Sequence, residues 1–145
     1  MIRFIATDLD GTLLDEEKRL PEEIFGLVEE LASRGILFAP ASGRQYANLK
    51  RIFAPVADKV VFICENGALV KYRGETLHMN PIRDAWLKQA LDEIRATPHV
   101  YPMLCGTESA YIENEEQPFY DYATASYDAC LKVDDLDAII GKEPI

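Results

Sequence analysis

The chain has 145 residues, 48% of them hydrophobic, which is enough for a domain with an apolar core and argues against a disordered chain. Its 25 acidic residues outnumber 15 basic ones, so the formal net charge is −10. No cluster of Lys and Arg offers a surface that tracks a phosphate backbone. We therefore expect no nucleic-acid partner.

Cysteine spacing and apolar runs bear on the compartment. Cys64, Cys105 and Cys130 are widely spaced and form no CxxC pair, so neither a disulfide framework nor a zinc site is indicated. The apolar run before Asp8 is about five residues long, too short for a signal-peptide core, and no run approaches the roughly 20 apolar residues of a membrane span. We predict a cytoplasmic protein with no membrane partner.

Strand and helix patterns alternate in the first half of the chain. Apolar runs at residues 2–6, 36–41 and 60–64 predict three buried strands. Helical spacing between them predicts an amphipathic helix that ends near Gly35 and a shorter helix that ends near Pro55. This βαβαβ order predicts a parallel sheet with right-handed crossovers, in which the three strands end at one edge.

Turns and shorter strands characterise the chain after residue 65. Asn-Gly and Arg-Gly turn signals flank residues 68–72 and 75–79, which predict a hairpin. Pro81 then opens a helix, with Trp86 and Leu91 among its expected buried residues. The helix begins a second pattern of elements.

The last third of the chain continues this second pattern. Residues 100–105 and 109–113 predict another hairpin, and residues 130–133 predict a short strand. Asp134 is expected to cap a last helix that ends at Gly141. The change of pattern near residue 80 predicts two domains, one before it and one after it.

Two carboxylates follow the first predicted strand directly. Asp8 and Asp10 stand where a strand meets the ligand-binding edge of an open α/β sheet, and Gly11 permits a sharp turn after them. Asp8 is suited to attack a phosphorus atom and carry an aspartyl-phosphate. Asp10 is suited to protonate the leaving alcohol and then to activate water. The alternative is a strand that simply leaves the sheet through an Asp-Gly turn.

The next two strand ends supply groups that bind phosphate. Ser42 can donate its hydroxyl to a phosphate oxygen, and the Gly43 amide can approach closely because no Cβ intervenes. Arg44 and Asn66 are expected either to touch substrate or catalytic residues, or to hold the turns by hydrogen bonds. Since carboxylates repel a phosphate dianion, a cation is required, and Mg²⁺ is the hard cation that these oxygens bind.

Three segments together match a known pattern: DLDGTLL at residues 8–14, ASGR at 41–44 and ENGA at 65–68. They resemble the haloacid dehalogenase superfamily and, in their order and spacing, its Cof-type phosphatases of subfamily IIB. The resemblance implies an α/β fold with a Rossmann-like parallel sheet core. Residues 1–80 would be the N-terminal part of that core, and residues 81–145 would be the start of an α+β cap domain.

The resemblance also implies roles for individual residues. Asp8 would be the nucleophile and a Mg²⁺ ligand. Asp10 would be the general acid and base, and would also offer its backbone carbonyl to Mg²⁺. Ser42 would bind the phosphate.

Two further motifs of this superfamily are not found in the sequence. A lysine that holds nucleophile and phosphate, and acidic residues that complete the Mg²⁺ site, both come after the cap in this superfamily. Asp134 and Asp135 form the only late acidic pair, and the apolar spacing after them indicates a helix N-cap instead. We therefore expect a segment of a longer phosphatase, with one edge of its first strand unpaired and open to self-association.

These observations lead to one functional hypothesis and two alternatives. We expect a Mg²⁺-dependent phosphomonoester hydrolase that acts through an aspartyl-phosphate on a small phosphorylated metabolite. The resemblance favours a phosphosugar. One alternative is a non-catalytic phosphate-binding or regulatory module. The other is a phosphomutase of the same superfamily, in which Asp8 passes its phosphoryl group to a second substrate.

Overall fold

The computed structural model describes residues 1–145, which form two compact units, Met1–Asn80 and Pro81–Ile145. The strands are β1 (Phe4–Asp8), β2 (Leu37–Ala41), β3 (Val61–Cys64), β4 (Leu69–Tyr72), β5 (Glu75–Met79), β6 (Met103–Cys105), β7 (Ala110–Ile112) and β8 (Cys130–Lys132). The α-helices are α1 (Ile24–Ser33), α2 (Tyr46–Ile52), α3 (Asp84–Arg95) and α4 (Phe119–Ser126). None of these helices combines the length and the apolar character that crossing a bilayer requires.

The first unit contains a five-stranded sheet in the order β1-β2-β3-β4-β5. The strands β1, β2 and β3 run parallel, and β4 and β5 continue the sheet as an antiparallel hairpin. The predicted βαβαβ unit and the first predicted hairpin are therefore confirmed. Asp8 lies beside Ala41, and Ala41 beside Ile63, so the three parallel strands end at the same edge. Open α/β sheets bind ligands at this edge.

An aromatic and aliphatic core supports that edge. Phe53 is fully buried, and its ring lies 6.5 Å from that of Phe25 and 6.1 Å from that of Phe38. Leu9 and Leu14, at the two ends of the turn after β1, are buried in the same core. Because apolar anchors hold both ends of the turn, the acidic residues there have a fixed backbone frame.

The strand β1 is an edge strand and is only partly buried. It pairs with β2 alone, and its residues alternate between exposed and half-buried. Ile5 packs on the core, whereas Phe4 remains 47% exposed. The prediction of a buried first strand is wrong, because an apolar run does not reveal on how many sides a strand is covered. The prediction that one side of the first strand has no partner strand is confirmed.

The second unit packs α3 against a three-stranded sheet of order β6-β7-β8. The strands β6 and β7 form the second predicted hairpin, and β8 runs parallel to β7. Leu87 and Leu91 of α3 belong to one buried apolar cluster with Leu104 and Leu136. Trp86, expected to be buried, is 59% exposed. Residues four positions apart share a helix face, so Leu87 and Leu91 define the buried stripe and Trp86 falls outside it.

A short 3₁₀ helix at Leu136–Ala138 stands where a last α-helix was expected. Its N-cap is Asp135, whose carboxylate accepts a hydrogen bond from the Asp137 amide at 2.9 Å. The neighbouring Asp134 is exposed. The expected acidic cap is thus right in kind and wrong by one residue, because either of two adjacent aspartates satisfies the capping pattern.

Ion pairs of Arg95 join three segments of the second unit. Its guanidinium donates to the Glu113 carboxylate at 2.7 and 2.5 Å, to Asp137 at 2.7 Å and to Asp135 at 2.9 Å. Glu113 also accepts a hydrogen bond from the Leu136 amide at 3.0 Å. The Arg95 hydrogen bonds are the largest cause that holds the pKa of Glu113 below its usual value. Deprotonated Glu113 therefore stabilises this unit.

Replacing Arg95 by Ala is expected to remove a stability term that depends on pH. Because the folded-state pKa of Glu113 is depressed, its contribution is present above the unfolded-state value near 4.5 and is lost as pH falls through the folded-state value. The melting temperature of Arg95→Ala should lie below wild type at pH 7 and begin to converge with it as pH falls below about 4.5 and Glu113 takes up a proton. Circular-dichroism melts from pH 3 to 7 measure this convergence.

The matched control for that experiment is Arg34→Ala, which removes an exposed ion pair with Glu30 in α1. Exposed pairs contribute little, so its melting curve should follow wild type at every pH. If the Arg95→Ala and wild-type curves stay parallel down to pH 3, Glu113 is not the group that carries the effect.

Candidate active site

A tight turn follows β1, with one predicted carboxylate just before it and the other within it. Asp8 is the last residue of β1, and the chain then turns through Leu9–Leu13, closed by an i to i−5 backbone hydrogen bond of 2.9 Å. Within the turn Gly11 has a φ of +76°, which glycine adopts without strain. Asp8 and Asp10 are both exposed to solvent. The end of β1 and the turn after it therefore present both carboxylates where the parallel strands end.

Backbone hydrogen bonds join the segments that follow β2 and β3. The Ser42 amide donates to the Ile63 carbonyl at 3.0 Å, and the Ser42 carbonyl accepts from the Asn66 amide at 3.1 Å. The Glu65 amide donates to the Arg44 carbonyl at 3.3 Å. The predicted site residues Ser42, Arg44 and Asn66 are thus brought together on one hydrogen-bonded frame.

Gly43 is required by the close approach of Asn66. A Cβ at position 43 would lie 2.9 Å from the Asn66 Oδ1 and 3.1 Å from its Nδ2. Asn66 has a φ of +54°, between Glu65 at +49° and Gly67 at +93°. Asn and Gly tolerate this left-handed conformation, whereas it costs energy at Glu65. The Asn-Gly pair predicts the turn but not the packing of its side chain on Gly43.

Glu65 is a residue of this edge that the sequence reasoning did not single out. Its Oε1 atom is buried without a hydrogen-bond partner, and burial raises the pKa of its carboxyl group. Burial, and then the nearby Glu65 charge, raise the pKa of the Cys64 thiol to about 12. Cys64 is therefore protonated and unreactive at neutral pH. An acid directly after an apolar run is the signal that identified Asp8, and it applies equally to Glu65.

Arg44 reaches across to Asp10 and forms a two-pronged ion pair with it. Its Nε and Nη2 donate to the two carboxylate oxygens of Asp10 at 3.0 and 2.6 Å. Its Nη1 donates to the Asn48 Oδ1 at 3.2 Å. The hydrogen bonding of Arg44 is the largest cause that lowers the pKa of Asp10. Of the two roles expected for Arg44, contact with a predicted catalytic residue is the one observed.

Asp8 differs from Asp10 because no hydrogen bond or ion pair engages its carboxylate. The Thr7 hydroxyl bonds only to its backbone carbonyl, at 3.0 Å. The Ser42 hydroxyl oxygen accepts a hydrogen bond from the Arg44 amide at 3.3 Å, which leaves the hydroxyl proton available to a ligand. No group of three or more His, Cys, Asp or Glu residues is placed to hold a metal ion. The arrangement offers one free carboxylate, one paired carboxylate and one free hydroxyl donor.

Comparison with known proteins identifies relatives over most of the chain. The family model of haloacid dehalogenase-like hydrolases matches residues 5–144. The 5-amino-6-(5-phospho-D-ribitylamino)uracil phosphatase YbjI of Escherichia coli is 32% identical over 111 residues, which are 76% of this chain and 41% of that protein. The HMP-PP phosphatase of Citrobacter koseri is 33% identical over 106 residues, 70% of this chain and 39% of that protein. The chain therefore spans about two fifths of these relatives.

Solved structures share the fold. A protein from Eubacterium rectale superposes with a TM-score of 0.87 at 26% identity, over 99% of this chain and 56% of that one. A protein from Thermotoga maritima superposes with a TM-score of 0.79 at 25% identity, over 99% and 54%. The α/β fold class is thereby confirmed. Since the family model covers nearly the whole chain, the protein belongs to the haloacid dehalogenase-like hydrolases, in the Cof-type branch that its motifs resemble.

Proposed function

We propose that the full-length protein is a Mg²⁺-dependent phosphomonoester hydrolase that acts through an aspartyl-phosphate on a small phosphorylated metabolite. The observation that carries the proposal is the unpaired Asp8 carboxylate at the ligand-binding edge of the sheet. Asp10, two residues further along in the turn after β1, is held by Arg44 instead. Two carboxylates with different surroundings suit two different roles.

The proposed reaction has two steps. In the first, an Asp8 oxygen bonds to phosphorus while the bond from phosphorus to the leaving oxygen breaks, and that oxygen takes a proton from Asp10. In the second, water attacks the phosphorus of the aspartyl-phosphate and gives a proton back to Asp10. Inorganic phosphate leaves and Asp8 is regenerated.

Arg44 is proposed to exchange Asp10 for the phosphoryl group of the substrate. The ion pair lowers the pKa of Asp10 and therefore opposes its protonation. Asp10 must nevertheless hold a proton to act as the acid in the first step. An incoming phosphoryl group offers Arg44 other anionic oxygens for a two-pronged contact and so releases Asp10.

Phosphate binding is proposed for the segment after β2. The Ser42 hydroxyl proton is free to be donated to a phosphate oxygen, and Gly43 allows its amide to approach. Asn66, packed against Gly43, would hold this segment in place and contact the bound ligand.

Asp8 and the backbone carbonyl of Asp10 are the proposed Mg²⁺ ligands. Both are hard oxygen donors, and the free Asp8 carboxylate fits a cation that is held by one or two carboxylates, by water and by substrate phosphate. Bound Mg²⁺ would neutralise charge on the phosphoryl group. The Asp10 side chain, held by Arg44, is left for proton transfer.

The substrate class is proposed from the relatives. The name of the Escherichia coli relative specifies a phosphorylated ribityl group, and both curated relatives are named as phosphatases. A phosphosugar or a related polyol phosphate is therefore the favoured substrate.

We further propose that residues 1–80 are the N-terminal part of the catalytic core, that residues 81–145 begin the cap, and that the protein acts in the cytoplasm.

Hydrolysis of p-nitrophenyl phosphate and of a panel of sugar phosphates by the full-length protein tests the proposal. We expect release of phosphate with Mg²⁺ and none after EDTA treatment. Calorimetric binding of phosphate without any hydrolysis would support a non-catalytic module instead. Transfer of a labelled phosphoryl group to a sugar phosphate acceptor, in preference to water, would identify a phosphomutase.

A further inference from the structure

Three hydrogen-bond donors of the β6–β7 hairpin, two on its turn and one on β7, converge on the carboxylate of Glu143. The Thr107 hydroxyl and the Glu108 amide donate to its Oε2 at 3.2 and 3.3 Å. The Tyr111 hydroxyl donates to its Oε1. Both oxygens of one carboxylate are thus held by a single short stretch of chain.

The lack of a side chain at Gly106 makes room for the Glu143 carboxylate. Gly106 is buried, and a Cβ there would lie 2.6 Å from the carboxylate carbon and from the Oε2 of Glu143. Any other residue would therefore displace the carboxylate. The absence of a side chain at Gly106 leaves a space that one carboxylate fills.

The donors are positioned by the hairpin and not by Glu143. The Gly106 amide bonds to the Ser109 carbonyl at 2.9 Å, and Cys105 pairs with Ala110 across the two strands. Glu143 lies far along the chain from them, after the 3₁₀ helix. The backbone of the turn, including the Glu108 amide, is consequently held by hydrogen bonds that do not involve Glu143.

We infer that residues 106–111 form a carboxylate-binding site of the second unit, whose resident ligand is Glu143 and which accepts a small carboxylate anion when Glu143 is removed. All three donors are neutral, so the site recognises a flat anion by hydrogen bonding and not by ion pairing. The pKa of Tyr111 is raised to about 12, with the hydrogen bond to Glu143 as the largest cause. Nothing in the inference depends on the proposed phosphatase activity.

Rescue of a Glu143→Ala variant of the 145-residue chain by formate tests the inference. A ligand that binds only the folded state stabilises it by mass action, so a dissociation constant of about 50 mM would let about 0.5 M formate shift the folding equilibrium about elevenfold. We expect the melting temperature of Glu143→Ala to rise with formate, relative to the same concentration of chloride. Wild type should show no such difference, because Glu143 already fills the site.

Two further variants separate site binding from general salt effects. In Glu143→Gln the amide still fills the space, so formate should have no specific effect. In Glu143→Ala/Tyr111→Phe one donor is lost, and the formate effect should shrink at least threefold. If Glu143→Ala melts without cooperativity, the Glu108 amide resonance is followed instead during a formate titration. An equal response of wild type and Glu143→Ala, or an unchanged Glu108 amide, would overturn the inference.

Discussion

Replacing Asp8 by Asn in the full-length protein is expected to lower kcat for phosphomonoester hydrolysis by about three to six orders of magnitude, as removal of a nucleophile does. The amide is nearly the same size as the carboxylate, and no partner in the structure depends on the Asp8 charge, so the fold should be unaffected. Steady-state kinetics with p-nitrophenyl phosphate and a thermal melt separate the two effects. Residual activity above a few per cent of wild type would rule out the covalent mechanism.

Asp10→Asn should reveal the order of the two steps. Without an acid and base the leaving group and the attacking water both lose assistance, but a good leaving group still allows slow formation of the aspartyl-phosphate. Because Asp8 and Asp10 act as a unit, the double variant should be hardly slower than Asp8→Asn alone. Asp58→Asn is the matched control, since Asp58 is an exposed aspartate that precedes β3, at the end of the strand opposite the site.

The strand ends that carry the site could be predicted because their signals are local. The predicted second and third strands end at residues 41 and 64, as β2 and β3 do in the structure. Apolar runs that stop at Asp, Ser or Glu followed by glycine mark both the end of a strand and the start of a turn. The parallel order is then set by the intervening helices, without knowledge of side-chain contacts.

The partners within the site could not be predicted in the same way. Arg44 and Asp10 are 34 positions apart, and their pairing depends on how two turns project at the same edge. The packing of Asn66 on Gly43 likewise depends on the left-handed backbone after β3. Apolar periodicity identifies neither contact, because each joins polar side chains of separate loops.

Sequence patterns also could not predict which strand and helix faces are buried by a second layer of structure. Trp86 has the apolar character of a core residue, yet it lies beside the stripe that Leu87 and Leu91 define and contacts the guanidinium of Arg83 at 4.9 Å. An apolar residue satisfies the same pattern whether a second layer covers it or not. The same ambiguity applies to β1, whose apolar residues did not reveal that the strand pairs on one side only.

We expect the 145-residue chain to self-associate through β1. This edge has little to protect it: its five residue pairs with β2 run without a register shift, it contains no Lys or Pro, and its one charged residue, Asp8, stands at its end. Phe4 is 47% exposed and Ile2, just before the strand, is 68% exposed. An exposed, regular and apolar edge pairs readily with another strand. Phe4→Lys should therefore raise the dissociation constant of the dimer at least about tenfold, as measured by sedimentation equilibrium.

The opposite edge of the same sheet provides the matched control. Leu77 on β5 is 59% exposed, but the pairing of β4 with β5 contains a register shift between Val70 and Lys71, and bulges of this kind protect an edge. Leu77→Lys should therefore leave the association unchanged. A chain that stays monomeric at about 100 µM, where a weakly paired edge would already be occupied, would show that β1 needs no partner. Equal effects of Phe4→Lys and Leu77→Lys would show that the association does not run through β1 alone.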